Sequence, residues 1–308
     1  MCRNIVVSLV RALAVGAVLA AVCGSAYASG TDTPSKLHVG ANASFVRAGG
    51  GALWVSDPVL SQVVRVDPVA GRVKARLAVG GYPFGIAYGA RSVWVGSRFA
   101  GRVSRFSART NKRQARIRVG AAPYALAFGK GAVWVTNESS GTVSRIAPRR
   151  NKVVKTIRVG GQPDGIVFAF GKVWVADYGR GWLVRIDPAR NRVIGRVAIP
   201  KADWITPSSD SLWVSSELGN VYRVDPATSA VKATVPVGAN PLASAWIGGE
   251  LWVPNIDSST VSVVSPATNA VRLTIPVGGS PIAVAGAGGA IWVSSQQDGD
   301  LWRFGSAP

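Results

Sequence analysis

The side chains able to do polar chemistry fall at two fixed places in a recurring pattern. One set directly follows a short aliphatic-Trp-Val motif: Asp57, Arg98, Asn137, Glu138, Asp177, Tyr178, Glu217, Asn255, Asp257, Gln296 and Gln297. The other set occupies a shared place ten residues before each motif Trp: Ser44, Phe84, Tyr124, Asp164, Asp203, Leu242 and Ile282. Carboxylates, amides and phenols can bind a polar ligand or ligate a hard cation through oxygen. They do not make a zinc site, which needs imidazole or thiolate. His38 is the single histidine, and the two cysteines are Cys2 and Cys23. No Ser-His-Asp set, Cys-His pair or HExxH motif exists, so nucleophilic and zinc hydrolysis are excluded. Gly-Gly runs such as Gly49-Gly50-Gly51 precede no helix and read as hairpin turns, not phosphate cradles.

The elements that must position these residues are set by the motif itself. It occurs around Trp54, Trp94, Trp134, Trp174, Trp213, Trp252 and Trp292, at steps of 40, 40, 40, 39, 39 and 40 residues. A period near forty is that of a four-stranded propeller blade. In the copy from Ala121 to Gly160, four apolar, β-branched runs are divided by Gly, Pro and Asn turns, and no stretch has helical periodicity. Asp67-Pro68, Asp187-Pro188 and Asp225-Pro226 open turns between third and fourth strands, where Asp accepts local amides and Pro presets φ. The expected fold is an all-β, seven-bladed β-propeller of four-stranded blades. The chain ends after three strands of the seventh blade. The N-terminal strand, Leu37–Val39, is expected to supply the fourth, which closes the ring and hides an edge. The repeated tryptophans read as inter-blade packing, since a role needed in every copy is a structural one.

Residues 1–28 carry Arg3 and Arg11, an apolar run from Ala12 to Val22 and Ala26-Tyr27-Ala28, the order of a cleaved secretory signal. Cys23 is a weak match to an acylated residue, because Val22 precedes it. The expected organisation is a signal peptide at 1–28, a mobile linker at 29–36 and a propeller at 37–308. The mature chain is expected to be an extracytoplasmic monomer with no thiol and no transmembrane segment.

The formal net charge is +20, and it is unevenly placed. Residues 60–200 hold 26 of the 35 Lys and Arg and 5 of the 15 Asp and Glu. The cations concentrate in third and fourth strands and their hairpins, Arg105, Arg145 and Arg185 among them. Arg109, Lys112, Arg113, Arg149, Arg150, Lys152, Arg190 and Arg192 lead the set and are expected on one arc of the rim. Such an arc attracts a polyanion, and it also protects edge strands and aids solubility. For a secreted chain an anionic envelope polymer, or a protein partner, is expected before nucleic acid, for which no motif is present.

Departures from the repeat mark the expected small-ligand site. Aromatic Phe84 and Tyr124 are followed around the ring by Asp164 and Asp203, then by Leu242 and Ile282. Lys201-Ala202-Asp203-Trp204-Ile205 replaces the usual Gly-x-Pro entry and is one residue shorter. The expected channel-mouth site comprises Phe84, Arg98, Tyr124, Asn137, Asp164, Asp177, Tyr178, Asp203, Trp204, Glu217, Asn255 and Gln296. No catalytic residue and no cofactor are assigned. A Mg or Ca ion on Asp and Asn oxygens remains the open alternative.

The unit Gly-x-Pro-x-x-Ile-Ala-x-Gly, Val-Trp-Val, Val-x-Arg-Ile-Asp-Pro, Val-x-x-x-Ile-x-Val-Gly resembles YVTN-type propellers and the virginiamycin B (streptogramin) lyase family over residues 37–308. The resemblance implies the propeller fold. In that family two His follow the Pro of the last two blades, a Glu follows the last Trp motif, and magnesium assists an elimination that linearises a lactone antibiotic. The matching positions here are Leu242, Ile282 and Gln296, and a first-blade Tyr of the family falls near Ser44. Without a base at these places the family's elimination is not expected. The expected function is therefore a binding module, with a divergent metal-assisted lyase or hydrolase using Asp164, Asp177, Asp203 or Glu217 as the alternative.

Overall fold

The computed structural model describes residues 34–305. The expected signal segment and residues 29–33 of the expected linker lie outside them. Seven four-stranded antiparallel sheets form the fold, and each contains one copy of the Trp motif in its second strand. The third blade runs Pro123–Gly129, Ala132–Asn137, Thr142–Ala147 and Lys152–Arg158, from the axis outward. The seventh combines Pro281–Ala287, Ala290–Ser295 and Asp300–Phe304 with Ser35–His38. This confirms closure by the N-terminal strand. That strand begins at Ser35, inside the stretch expected to be linker, because Ser35 and Lys36 pair with Arg303 and Trp302. The Lys36 ammonium also lies 4.1 Å from the centre of the Trp302 ring.

Blade faces stack on one another, so the second strands are buried on both sides and read as unbroken apolar runs. All seven motif tryptophans are at most 3% exposed. In five blades the indole N–H donates to the carbonyl five residues earlier, for example Trp134 to Gly129 at 3.1 Å. Hydroxyls tie neighbouring inner strands. Thr136 Oγ1 donates to the Asp164 carbonyl of the next blade, and Ser294 makes the equivalent bond to Ser44, from the last blade to the first.

A second device links blades near the rim. In six blades the third-strand residue opposite the Trp is an Arg whose guanidinium lies over that ring, as Arg105 does at 4.7 Å from Trp94, Arg145 at 5.0 Å from Trp134 and Arg223 at 5.2 Å from Trp213, whereas the sixth blade has Val263 opposite Trp252. The same groups donate into the next blade's hairpin. Arg145 Nη1 reaches the Pro188 carbonyl at 3.0 Å and Asn191 Oδ1 at 2.7 Å. Arg105 does the same to Pro148 and Asn151, and Arg223 to Pro266 and Asn269. Each of these Asn residues has positive φ, between 50° and 53°, and so turns the chain while presenting its amide oxygen. Arg105, Arg145 and Arg185, which the charge distribution groups with the rim, are thus half-buried and stack on tryptophans of their own blades.

Candidate functional site

Each inner strand starts at one face of the ring, beside the end of its second strand: Pro123 is opposite Asn137, and Pro163 opposite Asp177. The residues before each Trp and the loops after it therefore share one channel mouth. Two short 3-10 turns, Arg98–Ala100 and Glu138–Ser140, belong to this face.

The mouth gathers part of the expected set. Arg98 of the second blade pairs with Glu138 of the third, and its guanidinium lies 5.2 Å from the Tyr124 ring and 5.8 Å from Phe84. Asp164 and Asp203 occupy Tyr124's register in the next two blades and are buried, at 2% and 7% exposure. Burial first, then the charges of Asp203 and Asp164, hold the Tyr124 phenol well above its usual pKa, so it stays neutral. Farther around, the Tyr178 hydroxyl donates to Glu217, and Lys201 Nζ donates to the Tyr178 oxygen at 3.1 Å. The ammonium also sits 4.2 Å from the Tyr178 ring centre. Four consecutive blades thus supply a polar arc of alternating cations, carboxylates and phenols, able to bind a ligand carrying both hydrogen-bond donors and acceptors.

Other expected residues serve their own blade. Asn137, Asp177 and Asn255 share one register with Asp57 and are fully buried. Asn137 Oδ1 accepts from the Gly120 amide at 3.1 Å, and its amide group donates to Thr142 and Ser144. Asp177 accepts from the Gln162 and Arg180 amides. Asn255 donates to Thr260 and Ser262. These side chains hold loops rather than face the channel. The Asp177 carboxyl is raised in pKa by burial, against the two amides that favour its charge. Gln296 is half-buried on the seventh blade, and its backbone N–H donates to the Ser280 carbonyl. Among the described residues, no three His, Cys, Asp or Glu side chains cluster closely enough to hold a metal ion.

Trp204 has an unexpected partner. It sits one residue deeper than Asp203, where the other blades carry Gly85, Ala125, Gly165, Ala243 and Ala283, and the first blade carries Phe45. Small residues are required where inner strands approach closely: a Cβ on Gly165 would lie 2.4 Å from the Asp203 carbonyl oxygen. The two large residues reach across the channel and meet with ring centres 5.0 Å apart. Phe84 lies 4.6 Å from Phe45, and Tyr124 4.8 Å from Phe84. An aromatic plug therefore closes the channel beneath the polar mouth. The register that singles out Phe84 and Tyr124 identifies Phe45 once it is read one residue further.

The basic rim lies on the opposite face, where the third-to-fourth strand hairpins turn. Arg109, Lys112, Arg113, Arg149, Arg150, Lys152, Arg190 and Arg192 are all exposed there. Arg190 pairs with Asp187 at 2.8 Å, and Arg113 donates to the Ala78 carbonyl of the first blade. Among the described residues the other six have no carboxylate partner. No helix of the described residues is long and apolar enough to cross a membrane.

No protein-family model matches the chain, and no curated protein sequence matches it. Solved structures do. The chain is similar to a streptogramin B lyase with a TM-score of 0.79 and 13% identity, over 88% of this chain and 96% of that one. It is similar to the hydrazine synthase of Kuenenia stuttgartiensis with a TM-score of 0.73 and 16% identity, over 84% of this chain and 93% of that one. At the places where the lyase resemblance calls for imidazoles, Leu242 and Ile282 are each 4% exposed and apolar. The likeness is therefore one of architecture: the chain has a virginiamycin B lyase-like, seven-bladed propeller fold.

Proposed function

We propose that this chain is a secreted, non-catalytic binding module whose basic rim holds an anionic cell-envelope polymer. The observation that carries the reading is the cluster of exposed cations on one face of the second to fourth blades, of which Arg190 alone has a carboxylate partner among the described residues. Elsewhere on these hairpins charge is neutralised locally, as Asp67 is by Lys74 and Asp225 by Lys232. Cations serving solubility alone need no such segregation from carboxylates. Rows of phosphates spaced along a flexible polymer match cations spread over three neighbouring blades. The test is a binding panel of poly(glycerol phosphate), a single-stranded DNA oligomer and phosphatidylglycerol vesicles. Replacing Arg109, Lys112, Arg113, Arg149 and Arg150 by Gln is expected to weaken poly(glycerol phosphate) binding at least about tenfold, since each exposed contact contributes roughly 0.2–1 kcal/mol. Equal binding by the variant, or preference for DNA or vesicles, overturns the reading.

A second reading is favoured by the buried Asp164 and Asp203 beside a neutral Tyr124: metal-assisted lyase or hydrolase chemistry at the polar mouth. It requires a divalent cation. A thermal shift on adding Mg or Ca, lost in Asp164→Asn, supports it, and an unchanged melting curve removes it.

A further inference from the structure

Below the aromatic plug the channel widens into a cavity of about 830 Å³. Its origin can be read from the rings of equivalent residues on the inner strands. Opposite each motif Trp, the first blade has Arg47, and the other six have only Ala, Val or Thr, from Ala87 to Ala285. One residue deeper, Tyr88, Phe128, Phe168 and Trp246 fill four blades, but the first has Ala48, the fifth Pro207 and the seventh Gly286. The first and seventh blades are neighbours, so their small residues leave adjoining space. Phe45 and Trp204 bound the cavity toward the plug, and the turn glycines Gly248 and Gly289 bound its other end. That end opens on the face of the basic rim.

Arg47 is the one charged side chain in the lining. The two lining hydroxyls are already engaged: Thr206 Oγ1 donates to the Ser244 carbonyl at 2.7 Å and lies 2.8 Å from the Ser244 hydroxyl. Among the described residues no carboxylate or hydrogen bond meets the Arg47 guanidinium. Arg47 is exposed into this open-ended cavity, and the protein around it lowers its pKa by partial desolvation. An anion seated there gains charge-assisted hydrogen bonds from a guanidinium that has no other partner among the described residues.

We propose that the cavity binds an apolar monoanion, a medium-chain carboxylate, with its carboxylate on Arg47 and its hydrocarbon against Trp204, Trp246 and the Ala285–Gly286 wall. The volume lies within the roughly 300–1,000 Å³ range of small-ligand sites. The rim around the open end raises the local concentration of anions. The experiment is calorimetric titration with dodecanoate, dodecanol and dodecyltrimethylammonium below their aggregation limits. The wild-type protein is expected to bind one dodecanoate, at least about tenfold more tightly than dodecanol. Arg47→Ala is expected to lose about 10- to 100-fold of dodecanoate affinity, with little change for dodecanol. Gly286→Phe, which restores the ring present in four other blades, fills the space and is expected to abolish dodecanoate binding while unfolding remains cooperative. It decides the matter if Arg47→Ala does not fold. Absence of dodecanoate binding, equal binding by Arg47→Ala, equal binding of the ammonium, or full binding by Gly286→Phe overturns the proposal.

Discussion

Arg145 and Arg149 are four residues apart, and the structure assigns them opposite roles. Arg145 stacks on Trp134 at 5.0 Å and donates to Pro188 and Asn191 of the next blade, whereas Arg149 is exposed. In Arg145→Ala the stacking loss is about 1 kcal/mol. The two charged hydrogen bonds contribute about 1 kcal/mol each, after discounting for a half-exposed site. The sum, about 3 kcal/mol, corresponds to a fall in melting temperature of about 6–12 °C for a domain of this size. Arg149→Ala is expected to stay within about 0.5 kcal/mol of wild type. Denaturant unfolding followed by tryptophan fluorescence measures both. A cycle with Asn191→Gly, which keeps the left-handed backbone at φ 53°, is expected to show about 1 kcal/mol of coupling to Arg145→Ala. If Arg145→Ala is as stable as Arg149→Ala, or the cycle shows no coupling, the inter-blade clamp is refuted.

Other consequences follow from the same packing. Asp177→Asn keeps the acceptor for the Gln162 and Arg180 amides, as Asn137 does for Gly120 at the same register of the preceding blade, while Asp177→Ala orphans both and is expected to cost about 2 kcal/mol in chemical denaturation. Because the folded Asp177 pKa is raised, its contribution favours the fold at low pH and is lost as pH rises through that folded value. Stability of Asp177→Asn relative to wild type is therefore expected to increase from pH 4 to pH 8, and a flat difference would contradict the buried charge. Gly165→Ala places a methyl 2.4 Å from the Asp203 carbonyl oxygen and is expected to destabilise by about 2 kcal/mol, measured as a midpoint shift. Phe45→Ala empties the centre of the plug and is expected to cost about 4 kcal/mol, measured as a midpoint shift in chemical denaturation.

The blade count and ring closure were legible because they are rules applied seven times. Val-Trp-Val must be apolar on both faces wherever a blade is sandwiched, and the strand lacking at the C-terminal end had one candidate, around Leu37. The site was less legible because one residue type serves two ends. Asn137, Asp177 and Asn255 follow the motif as ligand-binding residues would, yet at 0% exposure the first two accept from loop amides and Asn255 donates to the Thr260 and Ser262 hydroxyls of its own blade. Arg105 and Arg145 look like rim cations, yet they lie over tryptophans. Spacing alone does not say which way a strand residue points, because a one-residue step moves it to the other face. Phe45, Arg47 and Gly286 were readable in principle, as exceptions to columns that otherwise hold small residues or aromatic rings.

The central claim is that the rim cations hold a polyanion, and its direct measure is the salt dependence of affinity for poly(glycerol phosphate). With about five contacts and roughly 0.7 counterions released per contact on a flexible chain, the logarithm of the association constant is expected to fall with the logarithm of salt at a slope of about −3.5. The variant lacking Arg109, Lys112, Arg113, Arg149 and Arg150 is expected to flatten that slope toward zero, while Arg145→Ala leaves it unchanged in the folded protein. A salt-independent affinity, or the same slope in the five-site variant, would contradict the account.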